Sequence, residues 1–194
     1  PVIGEEAVGR LLERLDSQEE SDPLVLAGSI PTSMPNPFSK DIGTRLEGRG
    51  IVFVVDATKD LLLNVLKYRP FLIKPNHHEL GEIFGVELEN REDVVPYAER
   101  LQEQGAQNVL VSMGGKGAVL LDAEGNVHML PVPKGTLVNA VGSGDSMVAG
   151  FLAGWTEKKD YEHAFKMGIS AGSASAFSEL LATEEEIRRL YETL

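Results

Sequence analysis

The sequence predicts an α/β fold: a doubly wound, mostly parallel sheet with helices on both faces. Largely apolar segments such as residues 51–56 and 108–112 are typical of strands buried on both faces of a parallel sheet. Segments with apolar residues at helical spacing, such as residues 5–17, alternate with these strands. The alternation, without repeats or linkers, indicates a single α/β domain over residues 1–194, with ligands at the carboxyl ends of the strands.

The elements of the first half are delimited by short apolar runs and by glycine and proline. Residues 24–27 form a continuous apolar run, which predicts a buried strand leading into a proline-rich loop. Gly48 and Gly50 end the second predicted helix. Together these patterns predict strands over residues 24–27, 51–56 and 71–73, and helices over residues 5–17, 38–47, 61–68 and 78–84.

The elements of the second half show clearer termination signals. Asn90 is a suitable cap and Gly105 a suitable stop for a helix over residues 92–104. Thr183 and Glu186 have the spacing of a capping box for the last helix. We therefore predict a strand over residues 108–112, an antiparallel hairpin of residues 118–121 and 127–132, and helices over residues 161–177 and 184–191.

A glycine-rich turn, residues 138–145, joins a strand-like apolar approach to a helix predicted from Ser146 to about Trp155. Gly142 and Gly144 allow a ligand close to the backbone, and with Ser143 they offer amides at a helix N-terminus, which is an anion site. Asp145 adds a negative charge there, which suits a residue that removes a proton. The alternative is that Asp145 is simply the helix cap.

The helices after this turn are rich in glycine, alanine and serine. Close packing of one helix on the other is the favoured explanation. The alternative is a backbone left open near residues 170–175, against which a flat ring could lie.

Composition excludes several classes of function. The net charge of −12 argues against a nucleic-acid or anionic-membrane surface, but a phosphate site can still be built from amides and one or two lysines. The absence of cysteine excludes disulfides and thiolate metal sites. With no long apolar segment or signal-peptide pattern, we expect a cytoplasmic protein.

Two further loops carry candidate site residues at the ends of predicted strands. In residues 74–79, Asn76 and Glu79 lie three positions apart and could supply oxygen ligands for Mg²⁺. The same spacing also fits a capping box. In residues 112–117, glycine amides and Lys116 could bind a polyphosphate. The four histidines form no zinc pattern, and we interpret them as structural or surface residues.

These three loops, in this order, resemble the motifs of the PfkB/ribokinase family of carbohydrate kinases. Residues 139–151 resemble the family's second signature, residues 74–79 its Asn-x-x-Glu motif, and residues 112–117 its nucleotide phosphate loop. Residues 28–31 and the Lys-Pro-Asn sequence at 74–76 are similar to the branch of 1-phosphofructokinases and tagatose-6-phosphate kinases. Ala140 departs from the usual signature.

The resemblance implies ATP-dependent phosphorylation of a ketose phosphate, foremost fructose 1-phosphate to fructose 1,6-bisphosphate, with tagatose 6-phosphate as the alternative substrate. It implies Asp145 as base, assisted by the amides of Gly142, Ser143 and Gly144. Mg²⁺ would be positioned by Asn76 and Glu79. The nucleotide would be held by Lys74, Ser112, Gly114, Gly115, Lys116 and Gly117.

The resemblance extends over the whole chain but covers only the carboxyl-terminal two thirds of the family. The family's amino-terminal sugar-binding part and its β-strand lid are therefore expected to lie outside these 194 residues. A homodimer through that lid is the assembly that the resemblance suggests. A nucleotide-binding fragment without catalysis is the alternative from another functional class.

Overall fold

The computed structural model describes residues 5–18, 23–28, 42, 44–46, 49–57 and 59–194. Its centre is a six-stranded sheet in which the strands lie side by side in chain order. The first four strands are parallel and the last two are antiparallel to their neighbours. They are β1 (Pro23–Gly28), β2 (Val52–Ala57), β3 (Leu72–Ile73), β4 (Asn108–Ser112), β5 (Ala118–Leu121) and β6 (Val127–Leu130).

In the described ranges, helices surround this sheet: α1 (Glu5–Asp16), α2 (Lys59–Val65), α3 (His77–Phe84), α4 (Arg91–Glu103), α5 (Ser143–Lys158), α6 (Tyr161–Ala176) and α7 (Glu184–Tyr191). Two 3₁₀ turns cover Leu66–Tyr68 and Gly114–Lys116. Of the helix predicted over residues 38–47, residues 42 and 44–46 are helical and the rest lies outside the described residues. None of the described helices is long and apolar enough to cross a membrane.

Alternate residues of each central strand enter two separate apolar cores. Val55 and Ile73 belong to the core shared with α1, α2, α3 and α4, whereas Val54 and Leu72 belong to the core shared with α5 and α6. This division follows from the two-residue period of a strand, which sends successive side chains to opposite faces. Helices therefore cover both faces of a mostly parallel sheet, which confirms the predicted fold class.

Three details of the predicted fold are wrong. None of the β1 residues is buried, because β1 is an edge strand of the described sheet and pairs only with β2. The antiparallel part is larger than a hairpin, since β5 also pairs antiparallel with β4. Residues 138–141 form no strand, because the amides of Val138 and Asn139 both donate to the Ala176 carbonyl at a helix end.

The small residues of α5 and α6 allow the two helices to touch, as the packing explanation predicted. A Cβ built on Gly150 would lie 2.6 Å from the Ala171 Cβ and 2.7 Å from the Met167 carbonyl oxygen. A Cβ on Gly154 would lie 2.9 Å from the Ala164 Cα. Such approaches leave no room for a methyl group, so the interface depends on glycine.

The C-terminal helix α7 is attached to α5 and α6 by a polar cluster around His163. The Nδ1 and Nε2 atoms of His163 lie 2.7 Å from the Tyr191 hydroxyl and 2.9 Å from a Glu157 oxygen. Hydrogen bonds from Arg188 and then from His163 lower the pKa of Glu157 from 4.5 to about 2. His163 therefore has the structural role that the sequence suggested.

Gly150→Ala should destabilise the protein by about 1–2 kcal/mol, since the clash with α6 outweighs the better helix propensity of alanine. The matched control is Gly9→Ala in α1, where nothing lies within 4 Å of the added methyl group. That variant should be stabilised by up to about 1 kcal/mol. Urea unfolding of both variants tests this, and equal effects would contradict the packing account.

Candidate active site

The three loops predicted from the sequence converge at the carboxyl ends of β3 and β4. The Ser112 amide donates to the Pro75 carbonyl at 3.2 Å, and Asn76 forms an isolated parallel bridge with Ser112. Residues of the loop 112–117 and of the glycine-rich turn 138–145 face one cavity of about 270 Å³. The predicted site residues among its lining are Ser112, Gly114, Gly115, Gly117, Ser143 and Gly144.

The glycine turn starts α5 earlier than predicted, at Ser143. Gly142 caps the helix in the left-handed region, at φ 78°, and its carbonyl accepts from the Ser146 amide at 2.9 Å. The Ser143 amide and hydroxyl both donate to the Ala140 carbonyl. Among the described residues the amides of Gly142, Gly144 and Asp145 have no acceptor, so the turn offers three donors to an anion.

Asp145 occupies the third position of α5 and is exposed. The helix cap is Gly142, and Asp145 makes no capping bond. The interpretation of Asp145 as the helix cap is therefore wrong. Its carboxylate stands in the first turn of α5 without a side-chain hydrogen bond among the described residues.

Lys74 brings a positive charge directly to this helix terminus. The side chain is almost completely buried, and its Nζ lies 3.1 Å from an oxygen of Asp56. The same Nζ is 3.1 Å from the position that a Cβ of Gly144 would occupy. A cation at the positive end of a helix is unfavourable by itself, so this arrangement favours a bound anion.

Asp56 is the site residue that the sequence analysis missed. Burial raises its pKa above the ordinary value of 3.8, against the lowering effect of Lys74. The charges of Asp145 and Glu79 raise the pKa of Asp56 further, so both carboxylates lie within electrostatic reach of Asp56. The signal available in the sequence was an aspartate at the carboxyl end of an apolar strand, where parallel strands present their ligands.

Asn76 and Glu79 form the capping box that their spacing permits. The Glu79 amide donates to Asn76 Oδ1 at 2.9 Å, and the Asn76 amide donates to Glu79 Oε2 at 2.8 Å. The box uses the single side-chain oxygen of Asn76 and one of the two Glu79 oxygens, so the second Glu79 oxygen takes no part in the box. No group of three metal-ligating side chains occurs in the described residues. With Asp56 nearby, the oxygen donors fit Mg²⁺, which keeps several waters and needs only one or two carboxylates.

The phosphate loop, residues 112–117, is closed by its own backbone. The Met113 amide donates to the Gly117 carbonyl at 2.9 Å, and the Gly117 amide donates to the Gly114 carbonyl at 3.1 Å. The amides of Gly114 and Gly115 have no acceptor in the described part of the chain, which suits phosphate binding. Gly117 requires the absence of a Cβ, which would lie 2.0 Å from the Leu130 carbonyl oxygen.

Lys116 does not face the first cavity. It lines a second cavity of about 530 Å³ together with His77 and His78, and its Nζ donates to the Glu89 carbonyl at 2.7 Å. The two cavities share no lining residue. Of the predicted nucleotide-binding residues, Lys116 is therefore separated from the first cavity.

The apolar lining of the first cavity was only partly predicted from the sequence. Gly172 and Ser173 line it, as the alternative of an open backbone near residues 170–175 required. The remaining apolar lining was not predicted; it comprises Val132, Leu137, Met147, Ile169, Ala176 and Phe177. A flat apolar ring is the ligand group that such walls accommodate.

The chain is similar to known carbohydrate kinases. Residues 4–187 match the model of the pfkB family carbohydrate kinases. The 1-phosphofructokinase of Bacillus subtilis is 47% identical over 190 residues, which is 98% of this chain and 62% of that protein. The D-tagatose-1-phosphate kinase of Klebsiella oxytoca is 28% identical over 97% of this chain and 63% of that protein.

A solved structure gives the same result for the fold. Phosphofructokinase-2 from Escherichia coli, in complex with substrates and products, superposes with a TM-score of 0.90 at 28% identity, over 98% of this chain and 63% of that chain. The chain belongs to the pfkB family of carbohydrate kinases. It spans about 62% of the length of the curated relatives that it matches.

Lys74→Met should lower the free energy of unfolding at pH 7 by about 3 kcal/mol, because it leaves the Asp56 carboxylate buried without its partner. Lys74→Met combined with Asp56→Asn should recover most of this loss. A raised folded-state pKa makes stability fall as the pH rises, so the single variant should regain stability on acidification. Urea unfolding between about pH 5 and about pH 8 tests both statements. Equal losses in the single and double variants would contradict the pairing.

Proposed function

We propose that the protein carrying this chain phosphorylates a hydroxyl of a ketose phosphate with ATP, and that fructose 1-phosphate is its substrate. One observation carries the proposal: the phosphate loop and the anion-binding helix terminus face the same cavity, with Asp145 in the first turn of that helix. Phosphoryl transfer requires this combination of a phosphate cradle, fixed positive charge and a base near the attacking hydroxyl.

Each group has a defined role in the proposed reaction. The Asp145 carboxylate takes the proton of the attacking sugar hydroxyl, while the oxygen of that hydroxyl bonds to the γ-phosphorus of ATP. The bond between that phosphorus and the bridging oxygen breaks, and ADP leaves. Amides of the turn at Gly142, Ser143 and Gly144 stabilise the charge on the transferred group together with the Lys74 ammonium. The amides of Gly142 and Gly144 have no other acceptor in the described part of the chain.

The nucleotide is assigned to the first cavity. Ser112, Gly114, Gly115 and Gly117 hold its phosphates, and the apolar part of the cavity accepts its base. Asn76 and Glu79 position Mg²⁺ and its waters, with Asp56 as a further carboxylate of the same cluster. When bound, this ion neutralises charge between the β- and γ-phosphates.

Asp145→Asn should lower turnover by about 10²–10⁴-fold, the usual contribution of a general base, while the dissociation constant for Mg·ATP stays nearly unchanged. The variant is made in the whole natural protein and measured by steady-state kinetics and calorimetry. Asp160→Asn is the matched control, since Asp160 caps α6 and asparagine caps equally well. Unchanged turnover in Asp145→Asn would remove the base from the mechanism and favour a nucleotide-binding protein without catalysis.

The identity of the sugar is tested by kcat/KM for fructose 1-phosphate, tagatose 6-phosphate and tagatose 1-phosphate. The 47% identity with the 1-phosphofructokinase supports fructose 1-phosphate, and we expect the highest kcat/KM for it. The Klebsiella oxytoca relative is the reason to include tagatose 1-phosphate. A clear preference for either tagatose phosphate would overturn the assignment. The homodimer suggested by the resemblance stays a prediction, to be tested by the mass of the whole protein in solution.

A further inference from the structure

We propose that Lys116 is a positioning residue, which holds the phosphate loop through the Glu89 carbonyl, while Asp93 holds the segment that carries this carbonyl. The inference rests on the proposed binding of nucleotide phosphates by that loop. It assigns Lys116 a role different from direct contact with a phosphate group.

The first step is the contact of Lys116 itself. Its Nζ donates to the Glu89 carbonyl at 2.7 Å, across 27 positions of the chain. Lys116 ends the 3₁₀ turn of the phosphate loop, and its own amide donates to the Met113 carbonyl. The hydrogen bond of the Lys116 side chain therefore restrains the backbone that carries the amides of Gly114 and Gly115.

The second step is the rigidity of residues 88–90, which carry the Glu89 carbonyl that Lys116 contacts. Leu88 is buried in the apolar core and anchors the segment on one side. On the other side an oxygen of Asp93 accepts from the Asn90 amide at 2.8 Å and from the Glu89 amide at 3.2 Å. The position of the Glu89 carbonyl is therefore restrained by Leu88 and by Asp93 in the first turn of α4.

The third step is electrostatic. The hydrogen bonds from Asn90 and Glu89 lower the pKa of Asp93, and the charge of Lys116 lowers it further, so Asp93 and Lys116 are close enough to interact. Asp93 is negative. If it acted on a bound phosphate only through its charge, its removal would strengthen nucleotide binding. If it positions the loop, its removal weakens binding, and the sign of the change separates the two roles.

The experiment uses the whole natural protein with Lys116→Met, Asp93→Ala, the double variant and Lys116→Arg. Titration calorimetry gives the dissociation constant for Mg·ATP, and kinetics give KM for each substrate. We expect each single variant to raise the dissociation constant by about 3- to 10-fold and the double variant to raise it no further than the larger single effect. Lys116→Arg keeps a donor for Glu89 and should restore most of the affinity. The loss should appear as a rise in KM for Mg·ATP that is larger than any fall in kcat.

The matched control is Glu186→Ala, which removes one negative charge and a capping-box carboxylate from α7, outside both cavities. It should leave the dissociation constant unchanged, and thermal unfolding monitors the cost of the lost cap in both alanine variants. Unchanged or tighter binding in Asp93→Ala, or additive losses in the double variant, would overturn the proposal. Wild-type protein that binds Mg·ATP but phosphorylates no sugar would overturn the proposed function and leave this test intact.

Discussion

The buried ammonium of Lys74 is the interaction on which the arrangement of the site depends. Burying a lysine is costly, and placing it at the positive end of a helix adds to that cost. Asp56 offsets both costs, and the parallel register of β2 and β3 brings its carboxylate within 3.1 Å. The register of the sheet therefore places the Lys74 ammonium against the first turn of α5, in a chain whose net charge is −12.

Much of the fold was predictable because the sheet is buried on both faces. Residues such as Val54 and Val55 had to be apolar regardless of which core they entered, so continuous apolar runs marked the strands. The burial of β1 was not predictable, since it depends on what covers the edge of the sheet and not on residues 24–27 themselves. The antiparallel pairing of β5 with β4 was likewise a long-range choice that local patterns do not encode.

The site was predictable where function restricts the backbone, and less so where it depends on side-chain direction. The position of the glycine turn before a helix and of residues 112–117 after a strand was predicted correctly, because glycines interrupt the apolar patterns at both points. The binding roles of these residues stay predictions. The start of α5 at Ser143 was missed, since Gly142 caps the helix through its backbone. Asp56 and the direction of Lys116 required the tertiary structure, because each is defined by a partner distant in the sequence.

One wall of the first cavity is much less secured than the others. Residues 134–141 are all exposed, and two of their amides share the single Ala176 carbonyl, whereas nearly all of α6 is buried. Local opening of such a segment costs far less free energy than unfolding of the core. We therefore expect amide hydrogens in this loop to exchange with solvent through small local openings, and those of α6 only through larger ones. A planar ligand group could then enter from the side through this loop without any movement of the sheet or of the helix that carries Asp145.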